Sequence, residues 1–354
     1  MISKRGIFSM NFKYFFLLFL ILPFLSKAQI GGENTYEFLN LVNSARMAAL
    51  GGNQVALADE TDLNVAYNNP ALLKEDMQNR IVANYVNYVA DVNYGYVAYA
   101  LPVEWPGNFA VGMHYINYGT FIEALPNGLK TGGTFNAAEY ALNIIWSYQL
   151  PNRLSVGVNL KPVWSSFETY QSAGVAADLG ASYQSEDGLT TIGLAVKNVG
   201  TQITPYYEGG EREPLPFDVQ LGYSQRLGHA PIRISGTLQH LQKWTLSQPE
   251  VEEGTLSATV KEDGMGKKFL RHMVLGVELL PSENFTVRFG YNYQRRQELK
   301  YDEKMSTVGF SFGLGFKISR FEFNYGLARY HLAATSSHLS LGINLNDDYR
   351  KRRH

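Results

Sequence analysis

Long stretches of this chain alternate, residue by residue, between bulky apolar side chains and Gly, Ser, Asn or charge. In one, Phe321, Phe323, Tyr325 and Leu327 interleave with Glu322, Asn324, Gly326 and Ala328. In another, Val308, Phe310, Phe312, Leu314 and Phe316 interleave with Gly309, Ser311, Gly313 and Gly315. Phe285 to Tyr293 and Leu339 to Leu345 repeat the pattern. Successive side chains of a strand point to opposite faces, so each stretch reads as a strand with one greasy and one small or polar face. A soluble sandwich or propeller would have to bury the Phe and Tyr stripes against a second layer. It would also leave the Gly, Ser and Asn faces without a reason.

The alternative is a strand whose greasy face meets lipid. A backbone in hydrocarbon must satisfy its own hydrogen bonds, so only helices and closed barrels span a bilayer. After Ala28 no apolar run approaches the ~20 residues a spanning helix needs. The 23 Tyr, 20 Phe and 33 Gly suit aromatic girdles and a crowded lumen. Mean hydropathy of −0.18 is what two opposed faces average to. The expected fold is all-β: a transmembrane antiparallel β-barrel of about fourteen strands. The strands are expected to begin near Ile81, Val92, Phe109, Tyr140, Leu154, Ala173, Thr190, Phe217, Ile232, His272, Phe285, Thr307, Phe321 and His338.

The amino terminus has a different character. Lys4, Arg5 and Lys13 precede an apolar run from Tyr14 to Leu25, and Ser26-Lys27-Ala28 follows. This is the order of a secretory signal peptide, with cleavage expected after Ala28. Residues 29–79 are small and semi-polar with no strand period. Ser44 can cap a short helix that Gly51-Gly52 would end, and Asn69-Pro70 can start another turn. We read this segment as a plug or hatch, with Asn68, Asn69 and Pro70 among its residues; a small periplasmic extension is the other possibility. Residues 80–346 form the expected barrel, and 347–354 a basic tail that includes Arg350, Lys351, Arg352 and Arg353.

Connection lengths sort by parity. LPVEWPG, LPNR, SEDG, LGHAP, LPSE and KISR are tight, and the connections between them are mostly long. Short turns on one rim and long loops on the other is the outer-membrane arrangement. The tight Val89-Ala90-Asp91 connection is an exception. With a plug entering from the periplasm, the long loops face outside.

No catalytic constellation is legible, so none is expected, nor a cofactor or metal. The seven histidines are scattered, and none pairs at a metal spacing. His331 and His338 read as solvated rim residues. Asp59-Glu60-Thr61-Asp62 lacks the alternation and glycine of a calcium loop and reads as solvated or lumen-paired. Lys161, Asp178, Lys197, Glu278, Arg288 and Glu322 fall on lumen faces by parity. Lipid-facing Arg or Lys would cost about 2–4 kcal/mol at mid-depth. Absent cysteine excludes disulfides, and a net charge of −1 gives no field for nucleic acid. Two long connections invite partner contact. One carries Tyr206, Tyr207, Glu208, Glu211 and Arg212; the other, Lys243 to Phe269, carries Trp244, Glu252 and Glu253.

The run NSARMAALGGNQVALADETDLNVAYNNPALL resembles the amino-terminal segment of the PorV/PorQ family of outer-membrane proteins, distant in fold from the FadL transporters. INYGTFIEA, KNVGTQITPYYEGGEREPLPFDVQLGYS and LQHLQKW extend the resemblance over most of the chain beyond Gly31. The resemblance implies a fourteen-stranded FadL-like barrel in the outer membrane. It also implies a non-enzymatic anchor in the attachment complex of the type IX secretion system of Bacteroidota. Such an anchor holds a PorZ-like partner beside the PorU sortase and the PorV shuttle, while cargo is released and joined to lipopolysaccharide. The end DDYRKRRH departs from barrels that finish on an aromatic strand residue. A FadL-like transporter of small hydrophobic molecules is the alternative function, and an outer-membrane hydrolase lacks a recognisable nucleophile and base.

Overall fold

Burial follows the period of the sequence strand after strand. The computed structural model describes residues 34–59, 61–125, 127–246, 250–251, 258–259, 264–298, 307–330 and 335–346. In β15 (Phe321–Ala328) Phe323 and Tyr325 are exposed, while Asn324, Gly326 and Ala328 are buried. In β14 (Phe310–Ile318) Phe310, Phe312, Leu314 and Phe316 are exposed and Ser311, Gly313 and Gly315 buried.

The polarity is inverted relative to a water-soluble domain. Val97, Tyr140, Ile144, Leu160, Leu179, Phe289 and Leu339 lie outside. Asn143, Asn159, Lys161, Asp178, Lys197, Gln220, Glu278 and Arg288 are buried inside. Water would penalise that arrangement and hydrocarbon rewards it. On the outer face aromatic residues pair across strands: Phe285 with Phe316, Phe289 with Phe312 and Tyr291 with Phe310, at 4.9–5.5 Å between ring centres.

Fourteen antiparallel strands close the sheet. They are β1 (Arg80–Asn87), β2 (Asn93–Leu101), β3 (Asn108–Ala124), β4 (Lys130–Gln149), β5 (Leu154–Phe167), β6 (Tyr170–Gln184) and β7 (Thr190–Thr204). Then come β8 (Asp218–Arg226), β9 (Ile232–Leu238), β12 (Met273–Ser282), β13 (Phe285–Asn292), β14, β15 and β16 (Ser336–Asn344). The ribbon β10 (Glu250–Val251) with β11 (Ala258–Thr259) stands apart from the barrel sheet, in the connection between β9 and β12. Each barrel strand pairs with its neighbour in sequence, apart from that connection, and β1 pairs with β16 to seal the cylinder. The barrel sheet therefore has no open edge, as hydrocarbon requires. Among the described residues no helix is long and apolar enough to cross a membrane.

Strands β5, β7, β9, β13 and β15 start on the expected residues. β4 does not: it starts at Lys130, ten residues ahead of Tyr140. The stretch expected to be a loop is mostly a hairpin continuing β3 and β4 past their neighbours. Phe121 pairs with Phe135 there, their rings stacked at 5.2 Å. Glycines at 132 and 133 blur the alternation, which hid this strand from the sequence. Parity of loop length is also looser than expected, because only Glu168 and Thr169 join β5 to β6.

Residues 34–79 occupy the lumen. Helix α1 (Ala45–Ala49) is capped by Ser44, whose hydroxyl accepts from the Met47 amide, and Gly51 at φ +92° ends it. Helix α2 (Val65–Asn68) leads into a 3-10 turn, Pro70–Leu72, capped by Asn69. Leu50, Leu63, Val65, Leu72 and Met77 pack with Tyr96, Ala98 and Ile145 of the wall, so the apolar core lies between segment and barrel. The Thr35 amide donates to Pro214 O beside the β7–β8 connection, at the loop rim. The Asn79 amide donates to Ala100 O, at the turn rim. The segment leaves the lumen into β1 at the turn rim, but its first described residues stand at the opposite mouth. Entry from the short-turn side alone therefore does not describe it. The segments read as a signal peptide and a basic tail lie outside the described residues.

Candidate functional site

Two features draw functional side chains together: a polar lock at the middle of the lumen, and a cup at the loop rim.

The lock starts from Arg46 on α1. Its Nε and Nη2 donate to the two oxygens of Glu278, on β12, both at 2.9 Å. Its Nη1 donates to Asp59 at 2.8 Å and Asp62 at 3.1 Å. Glu278 also accepts from Arg288 Nε at 2.8 Å and Arg233 Nη1 at 3.1 Å. Three guanidinium groups thus face three carboxylates. Bidentate pairing holds two partners in one relative orientation. The acidic run of the sequence is therefore lumen-paired at Asp59 and Asp62; Glu60 lies outside the described residues.

A second set sits beside it. Lys161 reaches Asp178 at 2.5 Å and also donates to Asn198. Lys197 lies 5.2 Å from the centre of the Tyr67 ring of α2. Asn198 has φ +58°, donates to Asn40 of the lumen segment, and marks a break in the β6–β7 register. KNVG therefore joins wall to segment. Asn69 does the same from the other side, donating to Val55 O and to Ala181 O of β6. Asn68, Asn69 and Pro70 are all buried. A Cβ on Gly180 would lie 2.1 Å from Asn69 Oδ1, and one on Gly290 2.1 Å from Gly51 N. The lumen face is small because the segment's backbone touches it.

His338 corrects the reading of a solvated rim residue. It is fully buried on β16, edge-on to Tyr94 at 6.3 Å, because its parity turns it inward. His331 lies outside the described residues. His114 is buried too, with Nδ1 2.9 Å from the Tyr67 hydroxyl.

The cup is a cavity of about 510 Å³. β3, β4 and β5 contribute Tyr118, Glu139 and Phe167 to its wall, and β6 contributes Tyr170. The β7–β8 connection adds Tyr206, Tyr207 and Glu213, and the lumen segment supplies Asn34 to Glu37. The Tyr118 hydroxyl donates to Glu139 Oε2 at 2.5 Å. The Tyr118 and Phe167 rings lie 5.4 Å apart, and the Phe167 and Tyr206 rings 5.8 Å. The hydroxyls of Tyr36 and Ser172 are hydrogen-bonded at 2.5 Å. Burial pushes the Tyr36 and Tyr206 phenols upward, Tyr206 to about 12. Both are neutral at physiological pH.

The expected contact residues divide. Tyr206 is half-buried and bonded to Ser165 Oγ at 2.7 Å, so it builds the cup. Tyr207, Glu208, Glu211 and Arg212 are exposed. Trp244 is 45% exposed and stacks on His272 at 5.3 Å. Glu252 and Glu253 lie outside the described residues. Sequence reading missed Tyr36, Tyr118, Glu139 and Phe167, which come from four separate stretches. Only closure of the barrel brings them together.

No protein-family profile matches this chain, and no curated protein does. Solved structures do. A TodX monoaromatic hydrocarbon channel mutant matches at a TM-score of 0.50 and 13% identity, over 87% of this chain and 98% of that one. The fold is that of the FadL-like outer-membrane barrels. The Ralstonia pickettii toluene transporter TbuX gives 0.49 at 15% identity, covering 86% of this chain and 98% of its own. A Pseudomonas aeruginosa FadL homologue gives 0.48 at 11%, with the same coverage. At these identities the likeness concerns the fold.

Proposed function

We propose that this chain is a non-enzymatic outer-membrane protein that captures small organic molecules at the cell surface and admits them under control of its lumen segment. The loop rim is then the outer face, and residues 34–79 are the hatch. One observation carries the reading: the hatch's own Asn34 to Glu37 line the cup, so anything bound there touches the gate. The structural neighbours named as hydrocarbon channels support it at the level of fold.

Uptake of labelled small aromatic solutes, neutral and charged, tests it, in cells lacking the gene and complemented with variants. Ala45→Cys with Ser340→Cys places thiols where the Ala45 amide now meets Ser340 Oγ at 2.9 Å. Wild type should restore uptake, the oxidised double variant should not, and reduction should recover it. Uptake that is equal with and without the protein would remove the proposal.

A second reading has its own observation. The β3–β4 hairpin carries exposed Phe121, Ile122, Leu125 and Leu129, a surface suited to a protein partner. With the resemblance to the PorV/PorQ family, this favours an anchor that holds a PorZ-like protein near PorU and PorV for attachment to lipopolysaccharide. A detergent pull-down with the 120–135 hairpin trimmed separates the readings. Loss of such a partner with uptake intact would favour the anchor.

A further inference from the structure

The cup has the wrong charge for fatty acids and excess charge for hydrocarbons. Glu37, Glu139 and Glu213 face it, and among the described residues none of the three has a Lys, Arg or His within ion-pair distance. Glu139 is 2% exposed, and its Oε2 already holds the Tyr118 hydroxyl. Covering the cup with a neutral molecule would strip water from the exposed Glu37 and Glu213 carboxylates and return nothing to them. An anionic ligand would be repelled outright.

The walls answer to the opposite charge. Aromatic faces attract cations through their quadrupole, and rings grouped around one space are how proteins hold quaternary or protonated amines. Tyr118, Phe167 and Tyr206 form a continuous ring-on-ring wall. Thr35 adds an independent sign. It is 4% exposed and lines the same cavity, and its Oγ1, near the Tyr206 hydroxyl but out of hydrogen-bond geometry, is buried without a partner. An ammonium N–H would give it one.

We propose that the cup binds a small organic cation, an ammonium group carried on an apolar body. This deepens the capture role above and rests on that reading for the use of the cup. The apolar body meets the rings while the charge meets the glutamates, and the occupant lies against Tyr36 and Glu37 of the hatch.

The test is calorimetric titration of the mature protein with benzylammonium, in an uncharged glucoside detergent. Choline and amine-oxide detergents present the very headgroup in question and would compete. Saturable binding is expected, weakening as salt rises, with benzoate giving none. Glu139→Gln should weaken binding about tenfold or more. Because Glu139 is buried, Glu37→Gln with Glu213→Gln provides a second variant at exposed positions, with the same expectation. Three results would overturn the inference: no saturable binding to the wild type, unchanged affinity in the exposed double variant, or displacement by toluene as effective as by another amine. Cation binding with uptake of every labelled solute absent would instead defeat the uptake reading and leave this one standing. Uptake without cation binding would do the reverse.

Discussion

Glu278 shows how much one residue carries. It takes hydrogen bonds from Arg46 of the hatch and from Arg233 and Arg288 of the wall, all within 3.1 Å. Replacing a buried ionic network by apolar groups can be harmless, but removing one partner leaves the remaining charges unbalanced. Glu278→Ala should therefore destabilise the folded barrel by about 3–5 kcal/mol. A lowered midpoint in urea unfolding, followed by loss of the heat-modifiable band on a gel, would register it. Glu278→Gln keeps the shape and some hydrogen bonds and should fall between. A midpoint unmoved in Glu278→Ala would mean that the hatch is held elsewhere. The lumen parity of Glu278 and Arg288 was readable from alternation alone. That Arg46 of a distant segment would meet them was not, because nothing in a strand's period says what fills the cylinder.

At the scale of elements, the connection after β9 carries a pH-sensitive clasp. His240 sits at φ +57°, with its amide donating to Asp218 Oδ1 at 2.7 Å and its ring Nδ1 3.3 Å from the same oxygen. Burial disfavours the charged ring, but the hydrogen bond and charge of Asp218 outweigh it, aided by the more distant Glu298 and Glu37. The net shift is upward. A group with a raised folded pKa stabilises fully below its unfolded value, ~6.5 for His, and loses that contribution as pH rises through the folded value. Hydrogen exchange at Leu241 and Lys243 should accordingly quicken as pH climbs above ~6.5 and through the raised value, after correction for the intrinsic pH dependence. In His240→Gln that extra step should vanish. A wild-type protein whose corrected exchange is flat with pH would rule out the clasp. Elements differed in legibility for a similar local reason. β13 and β15 alternate strictly and start where expected, whereas the outer half of β4 contains paired glycines and was read as loop.

For the whole molecule, the decisive quantity is how the lumen is filled. Lock and core together pack residues 34–79 against nearly every part of the wall, so the intact protein should form no steady channel in a planar bilayer. Deleting residues 34–73 while keeping the approach to β1 should give stepwise conductance. Frequent opening in the intact protein would show that the hatch is not the seal. The deletion exposes Lys161, Asp178, Glu278 and Arg288 to a wet lumen, where they can be hydrated. The barrel is therefore expected to close without residues 34–73.

Alternation of greasy and small side chains was enough to determine a closed, lipid-facing sheet of fourteen strands. That signal is local: each residue's face is set by its position along its own strand, and hydrocarbon permits no open edge. Tertiary structure alone decided which residues meet across the lumen. Arg46 with Glu278, and Tyr36 with Tyr118, Glu139 and Phe167, are joined by curvature and closure, which place positions far apart in the chain around one space. Their spacing in sequence carries no trace of it.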